Sequence, residues 1–270
     1  MTSYSTDIVS GNYVRILGPV DVLAEGVPVP LARRKQRLLL ALLALRSNRP
    51  VSFSHIVSVL WPTDAPAAVR NQVHVHISAL RRALTTMTAT EKCLETRHDG
   101  YVLNAPPVEV DLHRFEQAVV DSERALAGGH LAEAHRTVRA ALDLWHGIPL
   151  DGLDSVFAQS ESARLQERRL MVLERRLDLD LAVGSHGDAL TELAGLVAAD
   201  PLHQGFQRRH VLALYCCERI GQALSACRAA RRRLVDELGI DAGERLNSLE
   251  MAILQGVRAE RLVAEAVSWR

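Results

Sequence analysis

The most regular alternation of apolar and polar positions lies between Ala67 and Leu84, a stretch that contains no glycine or proline. Apolar residues recur there at steps of three or four, which predicts a helix with one buried stripe formed by Val69, Val73, Ile77, Leu80 and Leu84. The opposite side is predicted to present Asn71, Val75, Ser78 and Arg82, flanked by His74 and Arg81. An apolar back and a donor-rich front are typical of a helix that enters a DNA major groove, although an ordinary amphipathic surface helix has the same pattern.

The preceding sequence predicts a small sheet followed by two helices. Tyr13–Leu31 alternates short β-branched runs with glycine- and proline-containing turns, which indicates a small antiparallel sheet. Ala32–Arg46 predicts a helix that is buried in its leucine-rich second half, and Ser52–Trp61 predicts a shorter one that begins at a capping serine. Only the short connection Thr63–Pro66 separates this helix from the amphipathic one, so the two form a helix-turn-helix arrangement.

Basic residues cluster in the first turns of the first helix, at Arg33, Arg34, Lys35 and Arg37. Positive charge at a helix N-terminus opposes the helix dipole, and a nearby phosphate would remove that cost. The cluster therefore fits either a contact with the DNA backbone or a solvated group of charges.

A hairpin is predicted after the amphipathic helix. Leu94–Leu103 reads LETRHDGYVL, with Asp99-Gly100 at the predicted turn between two short strands. A hairpin at this place in the order of elements is the wing of a winged helix. Arg97, His98 or both would then reach a groove or the DNA backbone.

The second half of the chain is predicted to be helical almost throughout. Val108–Asp111 is interpreted as a linker, because Pro106-Pro107 precedes it. Amphipathic patterns then predict helices over Asp111–Leu126, Leu131–Trp145 and Ser155–Val183.

A sequence repeat with a spacing of 34 residues follows these helices. Gly187–Leu190 reads GDAL and Gly221–Leu224 reads GQAL, while Thr191 is matched by Ser225. This period is that of tetratricopeptide-like helix pairs, whose stacking buries a continuous core.

Charge and cysteine content add two constraints. The chain has no net charge, yet residues 1 to 110 carry 12 Arg or Lys against 8 Asp or Glu, and the remainder carries 20 against 24. This asymmetry is typical of a nucleic-acid-binding module joined to a protein-binding one. Four cysteines without a CxxC pair, no apolar run long enough for a membrane span and no signal peptide indicate a cytoplasmic protein with free thiols.

Residues 13–107 resemble the OmpR/PhoB type of winged helix-turn-helix. The resemblance rests on an N-terminal sheet, three helices, LWP at the end of the second, VHVHISALRRAL in the third and GYVL in the wing. The recognition-helix signature of that family is matched by Val75, His76, Ile77, Leu80, Arg81 and Arg82. Two departures are Ser78-Ala79, where the family usually has basic residues, and Pro62, where it usually has glycine.

The resemblance implies DNA contacts from three elements. The recognition helix would contribute Arg70, Asn71, His74, Val75, His76, Ser78, Arg81 and Arg82. The DNA backbone would be contacted by Arg33, Arg34, Lys35 and Trp61, and the wing residues would be Arg97, His98 and Tyr101.

Individual roles follow from the same resemblance. Val75 would contact thymine methyl groups, while His76 and Arg81 would contact phosphates or base edges. His76 also lies beside the apolar stripe, so a packed or backbone-bonded histidine is the alternative. The connection formed by Thr63, Asp64, Ala65 and Pro66 would contact RNA polymerase.

The end of the helical part carries a second resemblance. Arg231–Leu254, RRRLVDELGIDAGERLNSLEMAIL, resembles the closing segment of the bacterial transcriptional activator domain. A winged helix followed by this domain is the architecture of the Streptomyces antibiotic regulatory protein (SARP) family, which the chain resembles over residues 13 to 257.

We therefore expect a mainly α protein with small β-sheets. Its parts would be a flexible N-terminus (1–12), a winged helix-turn-helix DNA-binding domain (13–107), an all-α tetratricopeptide-like activator domain (108–257) and a C-terminal tail (258–270).

The family resemblance implies a transcriptional activator of a secondary-metabolite (antibiotic) biosynthetic cluster. It would bind direct repeats in double-stranded promoter DNA as a dimer and recruit RNA polymerase holoenzyme, including its sigma factor. The alternative is a helical-repeat adaptor or sensor whose winged helix serves protein contacts only. The sequence lacks GxGxxG, GxxxxGK, GxSxG and HExxH, so we expect no catalytic activity, no cofactor, no metal site and no membrane association.

Overall fold

The computed structural model describes residues 11–87, 93–105, 109–241 and 243–268. Within them, eleven helices and six short strands form a mixed N-terminal part and an all-helical remainder. The predicted fold class, mainly α with small sheets, is confirmed. Of the predicted flexible N-terminus, residues 1–10 lie outside the described residues. No helix in the described part of the chain is long and apolar enough to cross a membrane.

The N-terminal sheet is a three-stranded antiparallel meander. Strands β1 (Tyr13–Arg15), β2 (Asp21–Ala24) and β3 (Val27–Val29) pair in the order β1-β2-β3. The turn between β2 and β3 consists of Glu25 and Gly26, which both have positive φ, as a tight two-residue hairpin requires. The sheet predicted for this segment is therefore confirmed.

The helix-turn-helix follows as α1 (Arg34–Leu45), β4 (Val51–Ser52), α2 (Phe53–Leu60) and α3 (Val69–Thr85). α2 begins at a cap, because the Ser52 hydroxyl accepts a hydrogen bond from the His55 N–H at 3.2 Å. α1 packs against α2 and α3. The core of this part includes the fully buried side chains of Leu39, Leu40, Leu42, Leu43, Ile56, Ile77, Leu80 and Leu84. Burying each contributes about 2 kcal/mol, which fixes the orientation of α3.

The wing consists of β5 (Leu94–Arg97) and β6 (Gly100–Leu103), in a sheet with the order β4-β6-β5. The predicted turn at Asp99-Gly100 is shifted by one residue, because Gly100 already pairs with Ser52 of β4 as the first residue of β6. A Cβ at this position would lie 1.9 Å from the Val51 carbonyl oxygen, so only glycine permits the two strands to approach.

The interpretation of Val108–Asp111 as a linker is wrong for its last two residues. Val110 is fully buried and forms a parallel bridge with Val14. The buried Asp111 carboxylate accepts backbone hydrogen bonds from Ile16 and Leu17 at 2.8–3.0 Å. These N–H groups follow β1 and have no strand partner, so a carboxylate satisfies them. Residues 106–108 lie outside the described residues.

The remaining helices are α4 (Asp111–Ala127), α5 (Leu131–Leu142), α6 (Val156–Ala182), α7 (His186–Ala199), α8 (Gln204–Cys216), α9 (Ile220–Leu238), α10 (Glu244–Leu254) and α11 (Ala259–Ser268). Contacts divide the chain into two compact units. The first contains the described residues up to Asp121 together with Arg139–Arg169. The second contains Ser122–Val138 and the described residues from Leu170 onward.

The 34-residue repeat is visible in the second unit as equivalent geometry. Ala189 in α7 and Ala223 in α9 are both buried at matching positions. Thr191 donates a hydrogen bond to the carbonyl four residues earlier at 3.0 Å, and Ser225 does the same at 2.8 Å. Part of the segment predicted as a C-terminal tail forms α11, whose apolar side packs into the hydrophobic core of the second unit.

Candidate nucleic-acid interface

α3 has one buried and one exposed face, as its sequence pattern predicts. The buried side chains are Val73, His76, Ile77, Leu80, Ala83 and Leu84. The exposed ones include Arg70, Asn71, Gln72, His74, Val75, Ser78 and Arg82. Val75 is 55% exposed on this polar face. Contact with a thymine methyl group would remove its apolar side chain from water.

Gln72 belongs to this exposed face, and the sequence analysis missed it. At roughly 100° per residue it lies about 60° from Val75, closer to the centre of the face than His74. Its amide can pair with the N6 and N7 atoms of adenine, as glutamine and asparagine commonly do in major grooves. The angular position alone was sufficient to find it.

His76 is buried, so the prediction that it contacts DNA is wrong and the alternative of a packed histidine is correct. Only 4% of the residue is exposed. Its ring stacks on the ring of Trp61, with the two centroids 6.3 Å apart. The Lys35 ammonium lies 4.0 Å from the centroid of the same Trp61 ring. The three side chains join α1, the end of α2 and the middle of α3. Lys35 and Trp61, which the resemblance assigns to the DNA backbone, are therefore both held in this stack.

The buried His76 makes stability depend on pH. Burial, together with the charges of Arg33 and Lys35, lowers the pKa of His76 below its usual 6.5. The unfolded chain therefore takes up a proton at this histidine that the folded protein does not, and the contribution of His76 to stability falls as the pH drops below about 6.5. We expect the stability advantage of the wild type over His76→Gln, measured by urea unfolding, to shrink between pH 7.5 and pH 5.

The exposed His74→Gln variant controls for the loss of a histidine as such, since its unfolding free energy should follow that of the wild type across this range. A difference between wild type and His76→Gln that stays constant with pH would contradict the burial of a neutral ring.

The wing presents two of its three predicted residues. Arg97 and His98 are exposed at the tip, and Arg97 forms an ion pair with Glu95 at 2.7 Å. Tyr101 is buried, and burial raises its pKa, so its assignment as a DNA contact is wrong. All four residues of β6, Gly100–Leu103, are buried.

Arg81 is bound to the wing. Its Nε donates to the Leu94 carbonyl oxygen and its Nη2 donates to the Thr96 hydroxyl, both at 2.9 Å. The guanidinium therefore lies between α3 and β5. The sequence pattern of α3 alone does not show that β5 packs beside this residue. Arg70, at the other end of α3, lies 4.7 Å above the Phe53 ring and remains exposed.

The basic start of α1 has two different environments. Arg33 is exposed. Arg34 is also exposed, but its Nη2 donates to the Asp154 carbonyl oxygen, and the Asp154 carboxylate lies 3.4 Å from the same guanidinium.

The connection between α2 and α3 is presented to solvent. Thr63, Asp64 and Ala65 are exposed, and Pro66 is half-buried. The Pro66 carbonyl accepts a hydrogen bond from the Val69 N–H at 2.9 Å, which leads directly into α3. The described residues contain no cluster of metal-ligating side chains.

Comparison with known proteins identifies the family of this arrangement. Residues 26–103 match the family model described as "Transcriptional regulatory protein, C terminal", and residues 110–254 match the "Bacterial transcriptional activator domain". The chain belongs to the SARP family. It is therefore a transcriptional regulator and not an enzyme.

Individual relatives cover most of the chain. It is 35% identical over 252 residues to the regulatory protein DnrI of Streptomyces peucetius, covering 90% of this chain and 92% of DnrI. It is 36% identical to the regulatory protein AfsR of Streptomyces coelicolor, of which it covers only 24%. The structure of Mycobacterium tuberculosis EmbR in complex with a low affinity phosphopeptide matches with a TM-score of 0.88 and 30% identity, covering 95% of this chain and 69% of that one.

Proposed function

We propose that this SARP-family protein is a sequence-specific DNA-binding activator that reads promoter DNA with the exposed face of α3. The supporting observation is the composition of that face. Hydrogen-bond donors at Asn71, Gln72, Ser78 and Arg82 surround the exposed Val75, while the opposite stripe anchors the helix in the core. Donors read base edges and the valine contacts thymine methyl groups.

Contacts to phosphates position this face on the duplex. Arg33 is exposed at the start of α1, and the Lys35 ammonium is held over Trp61. Arg97 and His98 at the wing tip contact the adjacent backbone or groove. Such contacts supply affinity that depends on salt and carries no sequence information.

The wider function follows from the family. The protein binds direct repeats as a dimer on DNA and recruits RNA polymerase holoenzyme with its sigma factor through Thr63–Pro66 and the helical domain. Its target is a secondary-metabolite (antibiotic) gene cluster, and it acts in the cytoplasm at the nucleoid. An adaptor whose winged helix binds only proteins is the competing function, and the donor-rich face of α3 favours DNA over it.

Two arginine variants of the full chain test this proposal. On a duplex carrying the preferred sequence, Arg82→Ala should lose about 1–3 kcal/mol of binding free energy, and its preference over random DNA should decrease. Arg33→Ala should weaken binding to both duplexes equally and reduce the salt dependence by about one ion. Fluorescence anisotropy titrations at two or more salt concentrations measure both effects.

Equal losses on preferred and random DNA for Arg82→Ala would refute its role in reading bases. Absence of any salt-dependent DNA binding by the wild-type chain would support the adaptor function instead.

A further inference from the structure

Two hydrogen bonds connect the recognition helix to the wing through one side chain. The Arg81 side chain extends from α3 and donates to two groups of β5, the backbone carbonyl of Leu94 and the side-chain hydroxyl of Thr96. A guanidinium has a planar array of donors, so two bonds fix its orientation as well as its position. Because the donor is charged, each bond is stronger than one between neutral groups.

The connection helps to hold β5 in place, because β5 lies at the edge of its sheet. β5 is an edge strand in the order β4-β6-β5, so in the described residues its pairing with β6 holds it from one side only. Arg81 adds a contact from α3, half-buried beside the wing. The wing is therefore held by β-sheet pairing on one side and by the recognition helix on the other.

The anchored residue lies immediately before the wing tip. Thr96 precedes Arg97 and His98, and a strand rises about 3.3 Å per residue, so the tip begins within roughly 7 Å of the Arg81 bond. Arg82, the next residue on α3, lies about 100° further around the helix and is exposed. Adjacent arginines of one sequence motif thus have different environments.

We propose that Arg81 is a positioning residue that sets the wing tip against the recognition helix, and that it does not itself read bases. This inference rests on the proposed function, since it concerns how α3 and the wing engage one duplex together. Arg81 fixes the spacing between the groove contacts of α3 and the backbone contacts of Arg97 and His98. Losing it would leave the base preference unchanged while uncoupling the wing from the helix.

A double-mutant cycle on the full chain tests this assignment. The variants are Arg81→Met, which removes the donors but keeps an extended side chain, and Arg97→Ala combined with His98→Ala, which removes the tip. In the wild-type background the tip variant should weaken binding about tenfold on the preferred duplex, and in the Arg81→Met background it should weaken binding about twofold or less. Additive losses, or no loss from the tip variant in the wild type, would overturn the proposal.

Selection of preferred sequences from a random duplex library provides the second readout. Arg81→Met should select the same sequence as the wild type, with weaker affinity. Arg82→Met, the same substitution at the neighbouring position, should change the preference at a base pair. A changed base preference for Arg81→Met would show that Arg81 reads DNA directly and would overturn the proposal.

Hydrogen exchange of the free protein separates this inference from the proposed function. Arg81→Met should accelerate exchange of the wing amides by about tenfold without changing α1, and Thr96→Val should have a smaller effect in the same direction. Arg82→Met should leave the wing amides unchanged. Unchanged exchange in Arg81→Met would overturn the positioning role, whereas accelerated exchange in Arg81→Met together with a wild type that binds no DNA would refute only the proposed function.

Discussion

Replacing Arg209 with leucine is expected to lower the free energy of unfolding of the second unit by about 3–5 kcal/mol. The guanidinium donates two parallel hydrogen bonds to Asp178, at 2.8 and 2.6 Å. The two residues are only 7% and 4% exposed, so the variant leaves a desolvated carboxylate without its bidentate partner. Arg208, at 3.6 Å, is too distant to replace those bonds. Urea unfolding followed by circular dichroism measures the loss.

A surface pair in the same unit provides the matched control. Arg261 and Glu265 form an ion pair whose side chains are 74% and 57% exposed. Arg261→Leu should therefore change stability by less than about 1 kcal/mol. The double variant Asp178→Leu with Arg209→Leu should regain part of the lost stability, because the Asp178 carboxylate is no longer left buried without its bidentate partner. Equal effects of Arg209→Leu and Arg261→Leu would show that burial does not determine the contribution of the first pair.

Gly100→Ala is expected to destabilise the winged helix by about 3 kcal/mol and to weaken DNA binding. The added Cβ would lie 1.9 Å from the Val51 carbonyl oxygen and 2.9 Å from the Ser52 Cα. Both neighbours are backbone atoms, so β4 and β6 must separate. Ser52 also caps α2, and its displacement would loosen the helix that leads to the recognition helix. Thermal unfolding and DNA titration of the variant measure the two effects.

Gly195→Ala tests whether the loss at Gly100 arises from the close approach or from changing any glycine. Gly195 lies inside α7, and a Cβ there would meet no atom within 4 Å. This variant should be more stable than the wild type by about 0.5–1 kcal/mol. A Gly100→Ala protein that unfolds at the wild-type temperature would contradict the strand packing described above.

The helices of the DNA-binding part could be predicted because their signals are local. The stripe from Val73 to Leu84 requires one face of α3 to be buried, and the observed helix, Val69–Thr85, begins two residues after the predicted start. The 34-residue repeat could also be predicted from the sequence, since equivalent positions of a stacked array have equivalent burial. Ser52 could be identified as a cap from its residue type and its place before an apolar run.

The partners of individual side chains could not be predicted, because they lie on other elements. A helical wheel places Arg81 toward the flank of α3 but does not show that β5 packs there. The same holds for Arg34, whose partner Asp154 is 120 residues away in the sequence. Asp111 resembles a linker residue in the sequence. Only the fold brings it beside the N–H groups of Ile16 and Leu17, from which its carboxylate accepts hydrogen bonds. The helical wheel places His76 between the buried and the exposed face of α3, and the stacking of its ring on Trp61 shows that it belongs to the buried face.

The most direct test of the central claim is affinity selection of genomic DNA fragments with the purified full chain, followed by sequencing of the retained DNA. We expect enrichment of a direct repeat, with half-sites about one helical turn apart, upstream of a gene cluster. We also expect Arg82→Ala to lose this enrichment while still binding DNA at low salt. Retention that is sensitive to salt but indifferent to sequence would contradict the claim and leave the exposed face of α3 as an ordinary protein surface.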